Sequence, residues 1–234
     1  MKAVTTVLLL IVACHAQASQ TLRIAVASNF KPTLEALLPL WQAQNDIAIT
    51  VSSGPSGALT QQILAGAPFG LFLSADAGFP EALYAKDKGA KPVVYARGQL
   101  IAACGHNASA AMAALQQANT LALANTRTAP YGQAAAGWLT EHGKHFSAKQ
   151  VQAGSVAGAL QFAVTGNADC ALVAGSFRQL APKLHWYPLP HAPVLTQAAS
   201  VINNSSAAQT FLSFLLSDAA QHFIQQNGYL AAKP

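Results

Sequence analysis

Short apolar runs of strand length alternate with helix-forming segments along this chain, and that alternation limits the possible folds more than any other feature. The first apolar run covers residues 22–27, and a helical pattern with one apolar face follows over residues 32–43. Further strands are predicted at 47–52, 70–74, 93–104, 120–124, 168–173, 184–189 and 196–202, and further helices at 57–65, 80–88, 109–117, 130–139, 156–164 and 207–226. Because repeated strand–helix units bury parallel sheets between layers of helices, the sequence predicts an α/β fold.

The number and spacing of these units suit two domains. A chain of 234 residues can form one large domain or two modest ones. We expect two doubly wound α/β domains joined by two crossover strands, which pass between the domains near Gly98 and near Leu195. The predicted boundaries are residues 19–98 with 195–234 for domain 1, and residues 99–194 for domain 2.

The first eighteen residues have the pattern of an export signal. Lys2 precedes a short apolar run over residues 3–13, and Ala16-Gln17-Ala18 then offers a small-residue cleavage site. Because this apolar run is too short to span a bilayer, we expect cleavage after Ala18 and a soluble periplasmic product. The alternative is a lipid on Cys14, since the four residues that end there loosely match a lipoprotein signal.

The charge of the chain gives no sign of a nucleic-acid partner. The formal net charge is +5, but the thirteen basic residues are spread along the sequence. Nucleic-acid binding proteins instead cluster their basic residues in a patch or stripe. We therefore expect no nucleic-acid partner.

Two cysteines, Cys104 and Cys170, remain after signal cleavage. They could pair in an oxidising compartment, but the sequence does not place them at the distance that a disulfide needs. Both lie in apolar segments with strand character. Buried free thiols are the slightly favoured interpretation.

Polar, uncharged residues stand at four strand–helix junctions. These junctions hold Ser28-Asn29, Ser56, Ala129-Pro130-Tyr131-Gly132 and Gly154-Ser155. Ligands of open α/β sheets bind beyond the carboxyl ends of the strands, where helices begin. A helix N-terminus holds anions through free amides and its dipole, although each of these residues alone is also an ordinary helix cap. Together the four junctions predict an oxyanion site, and the lack of an acidic residue disfavours a protonated anion such as hydrogen phosphate.

Five motifs in a fixed order carry a family resemblance over essentially the whole mature chain. They are Ala25-Val26-Ala27-Ser28-Asn29-Phe30, residues 52–63, Leu71-Phe72-Leu73-Ser74-Ala75-Asp76, Ala129-Pro130-Tyr131-Gly132 and Val156-Ala157-Gly158-Ala159-Leu160-Gln161-Phe162. In this order they resemble the molybdate-binding periplasmic proteins of ABC importers. The resemblance implies a type II periplasmic-binding-protein fold that closes on tetrahedral molybdate or tungstate. It also implies a monomer that delivers the anion to a membrane permease, without enzymatic activity, a cofactor or any metal other than the bound molybdenum or tungsten.

The same resemblance implies the ligands. They fall on the side chains of Ser28 and Ser56 and on the backbone amides of Tyr131 and Val156. Many members of the family add a Tyr hydroxyl at a position where this chain has Ala174. A second branch carries an Asn after the first strand and a Tyr in the Ala-Pro-Tyr-Gly motif, so Asn29 and the Tyr131 hydroxyl are the candidate replacements.

Other functions have weaker support in the sequence. A different oxyanion, sulfate or chromate, has the same charge and near-tetrahedral shape as molybdate. Gly54–Ala58 comes within one residue of the G-x-S-x-G elbow, which would make Ser56 the nucleophile of a serine hydrolase. No histidine of the mature chain stands where a triad requires it. His142 and His145 with Glu141 suggest a solvated loop rather than a metal site.

Overall fold

The computed structural model describes residues 21–232, so the predicted signal segment and Cys14 lie outside the described residues. The strands are β1 (Thr21–Ala27), β2 (Ala48–Gly54), β3 (Leu71–Leu73), β4 (Val93–Cys104), β5 (Thr120–Ala124), β6 (Lys149–Ala153), β7 (Cys170–Ala174), β8 (His185–Pro188) and β9 (Val194–Val201). The α-helices are α1 (Lys31–Gln42), α2 (Ser56–Leu64), α3 (Gly78–Tyr84), α4 (Ala111–Gln117), α5 (Pro130–His142), α6 (Val156–Val164), α7 (Ser206–Leu215) and α8 (Asp218–Gln226).

The strands form a mixed sheet in the order β2-β1-β3-β9-β4-β7-β5-β6, with β8 also paired to β4. The outer pairs are parallel, namely β1 with β2 and β3, and β5 with β6 and β7. The central pairs are antiparallel, since β9 runs against β3 and β4, and β4 runs against β7 and β8. The parallel pairing expected from the strand–helix units is present in the outer pairs, whereas the central pairs are antiparallel because the long connecting strands run back against their neighbours.

Strand β4 is long enough to serve both halves of the sheet. Its first part pairs with β9, and its last part, residues 100–104, pairs with β7 and β8. Gly98 of β4 and Leu195 of β9 are direct register partners, so the two predicted crossing points lie side by side. One core gathers around β5, β7, α5 and α6, and another around β1, α1, α7 and α8. We propose that these two cores correspond to the two domains expected from the sequence.

The cysteines pair, so the slight preference for free thiols is wrong. Antiparallel pairing of β4 with β7 sets Cys104 directly opposite Cys170. Their Cα atoms lie 4.0 Å apart, and the two residues form a disulfide. Each cysteine lies in a segment with the composition of a buried strand, but only the strand register shows that the two cysteines are neighbours.

The last predicted helix is two helices. The segment 207–226 divides between α7 and α8 at Ser217, whose hydroxyl accepts a hydrogen bond from the Ala220 amide. Ser217 is thus the N-cap of a new helix, a role in which serine is strongly preferred. None of the helices within residues 21–232 is long and apolar enough to cross a membrane.

Candidate functional site

All five residues predicted for the site line one small cavity. Its walls are formed by Ala27, Ser28, Asn29, Gly54, Pro55, Ser56, Ala75, Ala129, Pro130, Tyr131 and Val156. The cavity has a volume of about 10 Å³, counted as the space open to the centre of a water molecule. Pockets for organic ligands usually measure about 300–1,000 Å³, so this cavity suits a small ion.

The first wall is built by two parallel strands that end together. The last residues of β1 and β2, Ala27 and Gly54, are register partners, so the residues that follow them meet at one edge of the sheet. The Ser28 amide donates to the Gly54 carbonyl oxygen at 3.1 Å, and Ser28 lines the cavity. Ser56 stands at the first turn of α2, after Pro55.

The opposite wall repeats this arrangement. Strands β5 and β6 are parallel and end together at Ala124 and Ala153, and helices α5 and α6 begin beyond them. The first amides of a helix have no partner within the helix, so those of Tyr131 and Val156 are available to a ligand. Ser155 caps α6 by accepting from the Gly158 amide at 3.2 Å, so its hydroxyl serves the helix rather than the cavity.

The electrostatics of the cavity come from neutral groups. None of the described residues that line it is acidic or basic. Helices α2, α5 and α6, of 9, 13 and 9 residues, point their N-termini at it. Each N-terminus carries about half a positive charge from the helix dipole. The arrangement therefore favours an anion that needs only hydrogen-bond donors.

Ser56 is fully buried, and its hydroxyl is oriented by the chain. Its Oγ atom accepts a hydrogen bond from the Ala75 amide at 3.0 Å. Within residues 21–232 this is the one hydrogen bond to that oxygen, and no histidine takes part in it. Because the hydroxyl accepts from Ala75, its own proton is left to be donated, which suits anion binding and gives no support to a nucleophile.

Asp76 holds the loop that carries Ala75. Its Oδ1 atom accepts from the Ser74 hydroxyl at 2.8 Å and from the Phe79 amide at 3.3 Å. Burial raises the pKa of this carboxyl, and its hydrogen bonds oppose that rise. These hydrogen bonds fix the loop between β3 and α3.

The Asn29 side chain belongs to a buried network behind the cavity. Its Nδ2 atom donates to Gln197 Oε1 at 2.9 Å and to the Tyr229 hydroxyl at 3.1 Å. The Tyr229 hydroxyl in turn donates to the Asn29 carbonyl oxygen at 2.8 Å. Asn29 Oδ1 has no hydrogen-bond partner among the described residues. Both amide protons of Asn29 are therefore used within the protein in this arrangement.

The Tyr131 side chain reaches the same network from the opposite wall. Its hydroxyl accepts from Gln197 Nε2 at 3.3 Å. Burial raises the pKa of Tyr131 well above its usual value, so the hydroxyl keeps its proton. A Cβ on Gly98 would collide with this hydroxyl, so only glycine in β4 leaves room for it.

Gln197 is the residue of this region that sequence reasoning missed. It lies in β9, is fully buried, and contacts both candidate replacement donors. The sequence feature that could have indicated its role is a long amide side chain inside a predicted buried strand. Burying a polar group without a hydrogen-bond partner costs free energy. Such a residue needs partners, and those partners become visible only with the fold.

The two walls touch at the rim of the cavity. The Gly57 amide at the start of α2 donates to the Thr128 carbonyl oxygen, in the loop before α5, at 2.8 Å. A Cβ on Gly57 would lie 2.9 Å from the Phe79 ring and 3.0 Å from that carbonyl oxygen. The described conformation is therefore one in which the walls are closed on each other.

The remaining candidate metal groups lie apart from this cavity. His142 Nδ1 lies 3.0 Å from the Trp138 carbonyl oxygen, and the two rings stack. Cys104, His106 and Cys170 come close together, but both sulfur atoms are held in the disulfide.

Comparison with known proteins gives consistent matches over nearly the whole chain. The family model of bacterial extracellular solute-binding proteins matches residues 22–230. The molybdate-binding protein ModA of Azotobacter vinelandii is 31% identical over 240 residues, which covers 94% of this chain and 93% of that protein. The ModA protein of Rhodobacter capsulatus is 30% identical over 226 residues, covering 88% of this chain and 86% of its own length.

A solved structure agrees with these sequence matches. The periplasmic molybdate-binding protein of Azotobacter vinelandii superposes with a TM-score of 0.80 at 27% identity, covering 89% of this chain and 98% of that one. This match and those of the sequence confirm the family resemblance indicated by the five motifs, and they confirm the α/β binding-protein fold.

Proposed function

The chain belongs to the family of bacterial extracellular solute-binding proteins, and we propose that it captures molybdate in the cavity between β1–β2 and β5–β6 for an ABC importer. One observation carries this proposal above the others. Ser28, Asn29, Ser56, Tyr131 and Val156 come from four separate strand–helix junctions and line one cavity of ion size. Both curated relatives described above are named for molybdate binding.

The chemistry of the cavity supports a fully deprotonated oxyanion. The hydroxyls of Ser28 and Ser56 and the amides of Tyr131 and Val156 are donors, and no carboxylate among the described lining residues could accept a proton from the ligand. At these four positions a proton on the anion would meet donors, and a buried polar group that is left unpaired is costly. Molybdate and tungstate share the charge and shape that this donor set requires, so we include tungstate as a second ligand.

The proposal also covers the setting in which the protein acts. Export by the signal segment at residues 1–18 places the mature chain in the periplasm, where a monomer passes its anion to a membrane permease. Membership in an extracellular solute-binding family supports this setting. The same membership, together with the absence of a histidine partner at Ser56 among residues 21–232, favours binding over the hydrolase alternative.

Titration calorimetry of the mature protein tests the proposal. The protein is titrated with molybdate, tungstate, sulfate, chromate and phosphate under the same conditions. We expect one molybdate or tungstate per chain and weak competition by sulfate. Equal affinity for sulfate, or no heat with molybdate, would overturn the assignment of the ligand.

A further inference from the structure

Gln197 stands between the two side chains that are candidates for the donor missing at Ala174. Its Oε1 atom accepts from Asn29 Nδ2 at 2.9 Å, and its Nε2 atom donates to the Tyr131 hydroxyl at 3.3 Å. Tyr95, whose hydroxyl lies 3.1 Å from the same Oε1 atom, completes the group. All four side chains are buried, with exposed fractions of 1% or less. Bulk water therefore cannot supply the hydrogen bonds that this group lacks.

The arrangement described so far leaves two hydrogen-bonding conflicts. The Tyr95 hydroxyl lies within hydrogen-bond distance of two acceptors, the Ser74 carbonyl oxygen at 3.0 Å and Gln197 Oε1 at 3.1 Å, but it has one proton. Asn29 Oδ1, an acceptor in a site suited to anions, has no partner among the described residues. The side chain of Asn29 therefore has no free proton to donate to a bound anion in this arrangement.

Turning the Asn29 and Gln197 amides together removes both conflicts. A half turn exchanges the nitrogen and oxygen of an amide without changing its shape. Gln197 Nε2 then donates to Asn29 Oδ1 and to the Tyr95 hydroxyl, whose proton goes to Ser74. Gln197 Oε1 accepts from Tyr131, and Asn29 Nδ2 occupies the position that had no partner. One conflict then arises at Tyr229, because its hydroxyl has one proton for two acceptors, Asn29 Oδ1 and the Asn29 carbonyl oxygen.

The two arrangements offer the anion different donors. In the first, Tyr131 accepts from Gln197 and keeps its proton free, while both Asn29 protons are used. In the second, Tyr131 gives its proton to Gln197, and Asn29 has its amide free. The side-chain amide of Gln197 has one acceptor, its oxygen, and one donor group, its nitrogen. When the oxygen faces Asn29 the nitrogen faces Tyr131, and the reverse, so Gln197 accepts from only one of the two residues at a time.

We propose that Gln197 is a positioning residue that lets either Asn29 or Tyr131, but not both, donate to the bound oxyanion. This inference rests on the proposed function, since it names how the molybdate cavity compensates for Ala174. Its main consequence is redundancy: when one of the two donors is removed, Gln197 turns and the other donor replaces it. Gly98 keeps the necessary space, since a Cβ there would collide with the Tyr131 hydroxyl and lie 2.5 Å from Gln197 Nε2.

A double-mutant cycle measures this redundancy. Molybdate affinity is determined by calorimetry for wild type, Asn29→Ala, Tyr131→Phe and the double variant. A hydrogen bond to a charged group is worth about ten- to a hundredfold in affinity. We expect each single variant to lose less than about threefold, and the double variant to lose about ten- to a hundredfold. Additive losses would overturn the proposal, whereas a wild-type protein that does not bind molybdate would overturn the proposed function itself.

The same cycle in a Gln197→Met background shows whether Gln197 causes the coupling. Methionine has nearly the shape of glutamine but cannot constrain the two donors, so the Asn29 and Tyr131 losses should become additive. A coupling that persists without Gln197 would contradict the proposal. Thermal unfolding of every variant separates a loss of fold from a loss of donor.

Gln197→Glu provides a second test if the methionine variant does not fold. A carboxyl group buried beside an anion has a raised pKa, so molybdate affinity is measured over a pH series. The ionised carboxylate accepts from both Asn29 and Tyr131, removes both donors from the anion and adds a negative charge. We expect the loss relative to wild type to grow to more than about a hundredfold as the pH rises through that pKa. Gln99→Glu, on the exposed part of β4, adds the same charge outside the network and should bind as wild type at each pH. A Gln197→Glu affinity that equals that of wild type over the whole series would contradict the proposal.

Discussion

Ser56 shows how a single hydroxyl is prepared for an anion. The Ala75 amide donates a hydrogen bond to its oxygen, so the hydroxyl proton is left to be donated to a ligand. Asp76 fixes the loop from which that amide comes, through bonds to Ser74 and Phe79. The donor is thus oriented before a ligand arrives, and little conformational freedom is lost on binding.

Replacing Ser56 by alanine should weaken molybdate binding by about ten- to a hundredfold, because one hydrogen bond to a charged ligand is lost. The measurement is calorimetry with molybdate. Ser213→Ala is the control, since that exposed hydroxyl donates only to the Gln209 carbonyl oxygen within α7 and should leave the affinity unchanged. Unchanged binding in Ser56→Ala would remove this hydroxyl from the ligand set.

At the scale of elements, the site depends on where helices begin. Helices α2, α5 and α6 each start at the cavity, and the first turn of α2 touches the loop before α5 through the Gly57–Thr128 hydrogen bond. That contact joins the two walls next to the ligand. A side chain at Gly57 would separate them.

Gly57→Ala should therefore weaken molybdate binding by at least about tenfold, because the added methyl group meets backbone at Thr128 and cannot be relieved by a rotamer change. Gly137→Ala is a matched control, since a Cβ in that exposed position of α5 meets nothing within 4 Å. The control should bind normally and be slightly more stable, as alanine is the better helix former. Equal affinity for the two variants would show that the Gly57–Thr128 contact has no part in binding.

Sequence patterns predicted these elements well where one chain segment determines its own structure. Apolar runs located the buried strands, and Pro130 and the cap Ser155 located two helix starts. Strand β6 was missed because its residues are mostly exposed and polar, which no apolar pattern can reveal. The Cys104–Cys170 disulfide and the partners of Gln197 were missed because they depend on strand register and on contacts between distant segments.

At the scale of the whole molecule, two cores meet along β4 and β9. The cavity lies between a wall at the ends of β1 and β2, in proposed domain 1, and a wall at the ends of β5 and β6, in proposed domain 2. A ligand that contacts both proposed domains shifts the population toward the closed form. The size of that shift is set by how much more tightly the ligand binds the closed form than the open form. X-ray scattering of the mature protein should give a smaller radius of gyration with molybdate than without it. Phosphate is the control and should change nothing. An unchanged radius with molybdate bound would mean that the two cores do not move relative to each other.

The position of the anion is the central claim, and anomalous scattering from tungsten measures it directly. Crystals of the mature protein grown with tungstate should give one strong anomalous peak per chain in the cavity. That peak should lie within reach of the Ser28 and Ser56 hydroxyls and the amides of Tyr131 and Val156. A strong peak elsewhere, with this cavity vacant, would contradict the account.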